Sequence, residues 1–173
     1  MSSLFIENLV ISSQLGDARA FGELYAFFSE DMYRFAWYYT GSAYLAEEAV
    51  SEAALCAFRE IRSLKKASSF KSWLFKILYN ECKKQQKGKM ISASFTDYSV
   101  HSDLQYTAPD KDEAIALRNA LKRLSDEERE ILILYYSCGY STKEISSITG
   151  INHSTLRSKI SRSTQKLKDY LSQ

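Results

Sequence analysis

Apolar residues recur every three to four positions along most of the chain, which is the spacing of one face of an amphipathic helix. Strand-like alternation of apolar and polar residues is rare, and one proline and six glycines leave few turn signals. This pattern predicts an all-α protein. Helices are expected in its first half at about residues 4–15, 18–40, 43–61 and 70–87. Gly16, Gly41 and Gly88 are expected to end the first, second and fourth of them, because glycine readily adopts the backbone conformation of a helix end.

The helical periodicity stops near residue 89 and returns near residue 112. The intervening stretch is rich in Ser, Thr and Asp, and a stretch of this length without periodicity is unusual inside one compact domain. The chain is therefore predicted to form two small helical domains, at residues 1–88 and 112–173, joined by a flexible linker at residues 89–111. The second domain is expected to contain four helices, two of which form a helix-turn-helix.

The pattern of a helix-turn-helix lies between residues 141 and 162. Ser141 is expected to cap a short helix with Glu144 as its capping-box partner, and Gly150 to supply the positive φ of the turn. A second helix is expected to begin at Asn152 or His153, with short hydroxyls and cations on its outer face. The residues of that face expected to contact DNA are Ser154, Thr155, Arg157, Ser158, Lys159 and Arg162. A helical hairpin with a merely solvated basic face is the alternative interpretation.

Another capped helix is predicted just before the helix-turn-helix. Ser125 is its expected cap, and Glu128 stands three residues later as the capping-box partner. Ile131, Leu132 and Tyr135 are expected to form its buried face.

The formal net charge of +2 is nearly neutral, but the charges are unevenly distributed. Bases outnumber acids in residues 61–89 and 131–173, whereas acids lead in the other two segments. Two separate basic blocks predict two separate contacts with a polyanion. In the third helix, Glu47, Glu48 and Glu52 lie on one side, which suits either a basic partner or simple solvation.

Cysteine and histidine give no sign of a metal site or cofactor. Cys56, Cys82 and Cys138 are far apart and are expected to be reduced thiols, and His101 and His153 have no ligand-like spacing with them. No apolar run approaches the ~18 residues of a membrane span, and the start of the chain lacks a basic leader segment. The expected location is the cytoplasm.

A combined motif extends from residue 124 to residue 162. Its members are Leu124, Arg129, Gly139-Tyr140-Ser141, Glu144-Ile145, Gly150-Ile151, Ser154 to Lys159 and Arg162. This combination resembles region 4 of the sigma-70 family of bacterial RNA polymerase sigma factors. The family usually has Gly where Ser154 stands and Arg where Lys159 stands, and both replacements keep a small residue and a cation.

The first half of the chain carries a second set of motifs, in the order that this family has them. They are Gly16-Asp-Ala-Arg-Ala-Phe-Gly-Glu-Leu-Tyr, Ala46-Glu-Glu-Ala-Val-Ser-Glu-Ala and Phe70-Lys-Ser-Trp-Leu-Phe-Lys-Ile-Leu-Tyr-Asn. These segments resemble sigma region 2. A chain with regions 2 and 4 and no helical domain between them resembles the extracytoplasmic-function (ECF) group of sigma factors.

The resemblance implies functions for several sets of residues. The acidic set, expected to bind the clamp helices of the polymerase β′ subunit, is Glu47, Glu48 and Glu52. The set expected to bind the melted −10 promoter element is Lys71, Asn80, Lys83, Lys84 and Lys87. The helix-turn-helix face described above is expected to read the −35 element as duplex. The loop Ser63–Ser69 corresponds to the segment that holds a flipped base in relatives, while Trp73 fits either core packing or base stacking.

The resemblance also implies partners. They are core RNA polymerase, bound through its β′ clamp helices and its β flap, promoter DNA, and an anti-sigma factor, with no membrane insertion. The linker is expected to thread toward the polymerase active-site cleft, where the acids Asp97, Asp103 and Asp110 suit a mimic of nucleic acid.

Two other classes of function compete with a sigma factor. A stand-alone helix-turn-helix regulator explains residues 112–173 equally well but leaves the acidic helix and the Phe–Trp–Asn segment of the first half unexplained. An enzyme such as a nuclease is not expected, because the sequence shows no paired-carboxylate metal motif, no HExxH and no glycine-rich phosphate loop.

Overall fold

A computed structural model of the protein describes residues 3–91 and 111–172, with side chains over residues 3–87 and 115–172. This part of the chain is helical, as the periodicity predicts. The α-helices are α1 (Ser3–Gln14), α2 (Ala18–Thr40), α3 (Ala43–Glu60), α4 (Phe70–Ile91), α5 (Lys111–Lys122), α6 (Asp126–Leu132), α7 (Thr142–Thr149) and α8 (His153–Leu171). Most of the expected linker, with Asp97, Asp103 and Asp110, lies outside the described residues.

Short polar residues and glycine define the helix ends of the first half. The Asp17 carboxylate accepts hydrogen bonds from the backbone N–H groups of Arg19 and Ala20, which would otherwise lack partners at the start of α2. Gly41 ends α2 with a φ of 67°, and its N–H donates to the Trp37 carbonyl. These ends agree with the prediction.

Gly88 does not end α4, so that part of the prediction is wrong. The helix continues to Ile91, three residues beyond the glycine. A single glycine costs an α-helix only about 1 kcal/mol relative to alanine, and the residues that follow Gly88 are Lys and Met, which are good helix formers. No proline or capping residue follows Gly88 within the helix, and the glycine alone does not stop it.

Helices α1 to α4 surround a core that is rich in aromatic residues. Phe35 of α2 and Phe75 of α4 are buried and meet edge to face with ring centroids 6.0 Å apart, while Phe28 packs on Phe70 at 5.7 Å. Alanines line the buried side of α3 and let it approach α2 and α4 closely. Cys82 is buried in this core, and Cys56 and Cys138 are half-buried; all three are unpaired thiols.

A π-helical turn at Ile133–Ser137 corrects the expected core of the second half. Ile131 and Leu132 are buried as predicted, but Tyr135 is 38% exposed, and Ile133 and Leu134 are buried in its place. A π-helical turn holds more residues per turn than an α-helix, so it rotates the following side chains away from the α-helical register. The simple three-to-four spacing therefore fails at Tyr135.

The two halves pack against each other in the structure. Helix α4 lies on α7, and α2 lies on both the π-helical turn and α5. The Phe75 and Tyr140 rings meet edge to face at 4.9 Å, and the Arg34 guanidinium donates to the Ser137 carbonyl at 3.1 Å. The buried apolar residues of both halves form one continuous cluster. The division into domains at residues 88 and 112 stays a prediction.

Candidate nucleic-acid interface

Reciprocal capping and a glycine turn build the helix-turn-helix. The Ser141 hydroxyl accepts from the Glu144 N–H, and a Glu144 carboxylate oxygen accepts from the Ser141 N–H at 2.9 Å, so the predicted capping box is present. Gly150 has a φ of 77°, and its N–H donates to the Ser146 carbonyl. The Asn152 side chain caps α8 by accepting from the Ser154 N–H at 3.0 Å. These local bonds fix the angle between α7 and α8.

The outer face of α8 points to solvent. Leu156, Ile160 and Ser163 are buried and hold the helix against the core. The side chains predicted to contact DNA lie on the other sides of the helix, and all except the half-buried Lys159 are exposed: Ser154, Thr155, Arg157, Ser158 and Arg162. The structure therefore brings the six predicted residues together on one accessible surface.

The acidic first turn of α6 holds two lysines of α8. Lys159 forms an ion pair with Glu127, and Lys166 forms one with Glu128 at 2.5 Å. Burial raises the pKa of Glu128, but hydrogen bonds from Lys166 and Ser125 outweigh it, so that the net direction is downward. Arg157 and Arg162 have no carboxylate partner within the described residues and are the cations most directly available on this face.

One face of helix α4 carries the second set of cations. Asn80, Lys84 and Lys87 of α4 are exposed and are spaced at four and seven residues, so they share one side of the helix. Lys83 is half-buried with its ammonium 5.2 Å from the centre of the Tyr79 ring, and Lys84 pairs with Glu81 at 3.2 Å. These four residues form a polar, basic edge.

Lys71 lies apart from that edge. Nine residues separate it from Asn80, which places the two on opposite sides of α4. Its ammonium is 2.9 Å from the Glu144 carboxylate and 3.7 Å from the centre of the Tyr140 ring, so both contacts come from the second half of the chain. The structure therefore does not group Lys71 with the other cations predicted to bind the −10 element.

The loop expected to hold a flipped base also faces the second half. Its last three residues form a 3₁₀ turn, Ala67–Ser69, at the wall of a groove of about 610 Å³ between the two halves. Phe27, Phe28 and Ile148 supply apolar walls, and Lys143 stands at the α7 side. Trp73 is half-buried and packs at 5.9 Å on Phe70, which favours core packing over base stacking.

The acidic helix presents its carboxylates to solvent. Glu48 and Glu52 of α3 are exposed and Glu47 is half-buried, and none of the three forms an ion pair within the described part of the chain. Tyr44 and Leu55 are 57% and 53% exposed on the same side of the helix. These two residues were not predicted, although an apolar residue one turn away from a run of acids is a signal typical of interfaces.

Comparisons with known proteins identify the family. The sigma-70 region 2 model matches residues 24–89, and the sigma-70 region 4 model matches residues 114–167. The chain is 30% identical over 150 residues to the ECF RNA polymerase sigma factor SigM of Bacillus subtilis (strain 168), covering 84% of this chain and 91% of that protein. The chain belongs to the ECF RNA polymerase sigma factors. Members of this family are transcription initiation factors that bind core RNA polymerase and promoter DNA.

Further similarities agree with that assignment. The ECF sigma factor BldN of Streptomyces coelicolor is 28% identical over 160 residues, and the match covers 86% of this ECF chain and 59% of BldN. Among solved structures, the complex of RpoE with the anti-sigma factor NepR from Bartonella quintana matches with a TM-score of 0.72 and 26% identity, over 90% of this chain and 98% of that one. CnrH in complex with the cytosolic domain of CnrY matches in fold, with a TM-score of 0.78, 19% identity and 97% of each chain.

The described residues of this sigma factor contain neither a metal-binding cluster nor a helix of membrane-spanning character. No group of three or more His, Cys, Asp or Glu side chains is arranged to hold a metal ion there. No helix in residues 3–91 or 111–172 is long and apolar enough to cross a membrane.

Proposed function

We propose that this ECF sigma factor directs core RNA polymerase to its promoters by reading the −35 element with α8 and engaging the melted −10 element with the first half of the chain. The solvent-facing, basic outer side of α8 carries the proposal. Short hydroxyls beside Arg157 and Arg162 let the helix approach base edges closely, while the guanidinium groups match guanine edges and phosphates in geometry and charge.

Lys159 fits a contact with the phosphate backbone. Its ion pair with Glu127 is exposed enough to be weak, at about 1 kcal/mol or less, so a DNA phosphate can replace the carboxylate at little cost. Such a contact positions the protein without reading sequence, whereas the two arginines are placed to read it.

At the −10 element, we propose that Asn80, Lys83, Lys84 and Lys87 follow the backbone of the displaced strand. The groove beside the turn Ala67–Ser69 lies next to this helix and offers aromatic walls for an unstacked base. Lys71 is held by Glu144 and Tyr140 in the packed chain, so it can contact DNA only after it leaves these two partners.

For the polymerase contact, we propose that the exposed side of α3 binds the β′ clamp helices. Glu48 and Glu52 supply charge for a basic partner, and Tyr44 and Leu55 supply apolar area that water otherwise covers. Glu47 is at the edge of this surface. The β flap is proposed to bind the second half, residues 112–173, and residues 89–111 to act as the linker between two domains.

An anti-sigma factor is the third proposed partner. RpoE and CnrH, which share this fold, were solved with partner proteins bound. In this chain an apolar groove of about 650 Å³ lies between α2, α5 and α8 and is lined by Leu117, Leu121, Leu132 and Leu167. Its size and apolar walls suit an amphipathic segment of such a partner.

The proposal assigns the chain no catalysis, metal or cofactor of its own, and places its action in the cytoplasm, where core polymerase works. The proposal is tested by transcription initiation in vitro. Adding the purified chain to sigma-free core polymerase should give transcripts from a specific start on promoter DNA. A stand-alone regulator would instead bind duplex promoter DNA tightly without polymerase, and core polymerase would add nothing; that result would overturn the proposal.

A further inference from the structure

A carboxyl group is buried where the two halves meet. Glu130 of α6 is only 3% exposed and lies near Tyr79 and Lys83 of α4 in the first half, and one of its carboxylate oxygens has no hydrogen-bond partner. No cation forms an ion pair with it within the described residues. An ionised carboxylate in such a place is costly, because burial removes its water without supplying an opposite charge.

The charged and titratable groups around Glu130 come from three helices. From α4, Tyr79 and Lys83 favour its ionised form, whereas Asp126 and Glu127 of its own helix oppose that form. The neighbouring Arg129 is directed elsewhere, since it pairs with Asp126 and lies 4.7 Å from the Tyr39 ring of α2.

Two cations of α8 near this helix are also occupied. Lys159 and Lys166 bind Glu127 and Glu128 on the outer side of α6. Burial is the largest effect on Glu130 and raises its pKa to about 8, against the smaller opposing effects of Tyr79 and Lys83. The protonated form is thus the one that fits the closed arrangement near neutral pH.

We propose that the contact between the two halves is a proton-sensitive latch, with Glu130 as the group that takes up a proton when the halves close. Separation of α4 from α6 would expose the carboxyl group to water and return its pKa toward the ordinary value of 4.5. The closed form therefore holds more protons than the open form between about pH 4.5 and pH 8. Closure is favoured at the acidic end of this window and weakens as the pH rises through it.

The pH dependence of closure is set by the uptake of one proton by Glu130. The equilibrium constant for closure should fall by up to about tenfold for each pH unit within the window. If the proposed promoter contacts are correct, opening would also release Lys71 from Glu144 and uncover the turn Ala67–Ser69. The latch itself does not depend on those contacts, because it is a property of the chain alone.

The test is small-angle X-ray scattering of the full chain, without polymerase or DNA, from pH 5.5 to pH 9. The radius of gyration of the wild type should increase as the pH rises. Glu130→Gln, which stays neutral, should remain compact at every pH, and Glu23→Gln, which changes an exposed acid of α2, should follow the wild type. A radius that does not change with pH in the wild type, or a Glu130→Gln protein that expands like the wild type, would overturn the proposal.

A second variant keeps the test decisive if Glu130→Gln fails to fold. Tyr79→Phe removes a hydroxyl that stabilises the ionised carboxylate in the closed chain, so the closed form should be less populated than in the wild type at the alkaline end of the range and unchanged at the acidic end. A variant that expands less than the wild type at pH 9 would count against Glu130 as the sensing group. Failure of promoter binding, by contrast, would leave both scattering results unaffected.

Discussion

The two basic surfaces proposed to bind DNA differ in how far contacts between the halves cover them. The outer face of α8 is exposed and needs no movement of the chain, because its packing residues point into the second half. The surface around the start of α4 is partly occupied, since Lys71 binds Glu144 and the turn Ala67–Ser69 faces α7. The outer face of α8 is thus accessible as a whole in the packed chain, whereas on α4 only the edge with Asn80, Lys84 and Lys87 is exposed and Lys71 is held against the second half.

The largest effect is expected from removing the packing between the halves, because this should abolish the difference in accessibility between the two surfaces. Tyr140 is 2% exposed and contacts both Phe75 and Lys71, so Tyr140→Ala should destabilise the closed arrangement by about 3–5 kcal/mol. Scattering should show an expanded chain, and circular dichroism should show that its helices remain. Tyr136→Ala is the matched control, because that ring is 61% exposed, and it should stay compact.

A charge reversal on α3 should separate polymerase binding from both DNA surfaces. Glu48→Lys places a cation where a basic partner surface is proposed, and the repulsion should cost on the order of 3 kcal/mol in affinity for core polymerase. Glu60→Lys, at the exposed end of the same helix, is the control. Affinity is measured with fluorescently labelled chain; equal losses in the two variants would argue against a localised site.

Replacing Arg157 or Arg162 by alanine tests the outer face of α8. Arg157→Ala or Arg162→Ala should weaken binding of the holoenzyme to promoter DNA by about 1–3 kcal/mol if the side chain reads a base. The loss should disappear on DNA with a scrambled −35 element. Arg19→Ala removes an exposed arginine of the first half and should have no effect. A loss of the same size on scrambled DNA would mean that the contact is to phosphate.

The smallest expected effect concerns Lys71 in the closed chain. Its ion pair with Glu144 joins partly exposed groups, and its ammonium stays partly exposed where it lies over the buried Tyr140 ring, so Lys71→Ala should destabilise the free chain by about 1 kcal/mol. On a forked DNA template, however, it should weaken holoenzyme binding as much as Lys84→Ala does. If only Lys84→Ala weakens that binding, then Lys71 serves the contact between halves alone.

Local signals in the sequence predicted most of the local structure. Ser125, Ser141 and Gly150 define helix ends through bonds to residues three or four positions away, so their effect is visible in the chain itself. Tyr135 was misplaced because a π-helical turn changes the register without an obvious sequence signal. The period of apolar residues identifies a buried face but does not say what covers it.

For that reason the contact between the halves could not be predicted. Tyr140 and Phe75 are 65 positions apart, and neither has a neighbour in sequence that indicates the other. Glu130 lies in the acidic run Asp-Glu-Glu-Arg-Glu, where solvation is the natural expectation, yet its side chain is buried and lies near Tyr79 and Lys83 of α4. The individual cations of the two surfaces proposed to bind DNA were visible in the sequence, but the accessibility of each one was not.

Glu144 takes part both in a local helix cap and in the contact between the halves, with one carboxylate oxygen for each. One oxygen caps α7 at Ser141, and the other binds Lys71 across the contact between the halves. Glutamine also completes a capping box, so Glu144→Gln would keep the helix end while removing the charge that attracts Lys71. One substitution by a side chain of nearly the same shape thus offers protein engineers a variant in which the helix-turn-helix is intact and the two halves are less firmly joined.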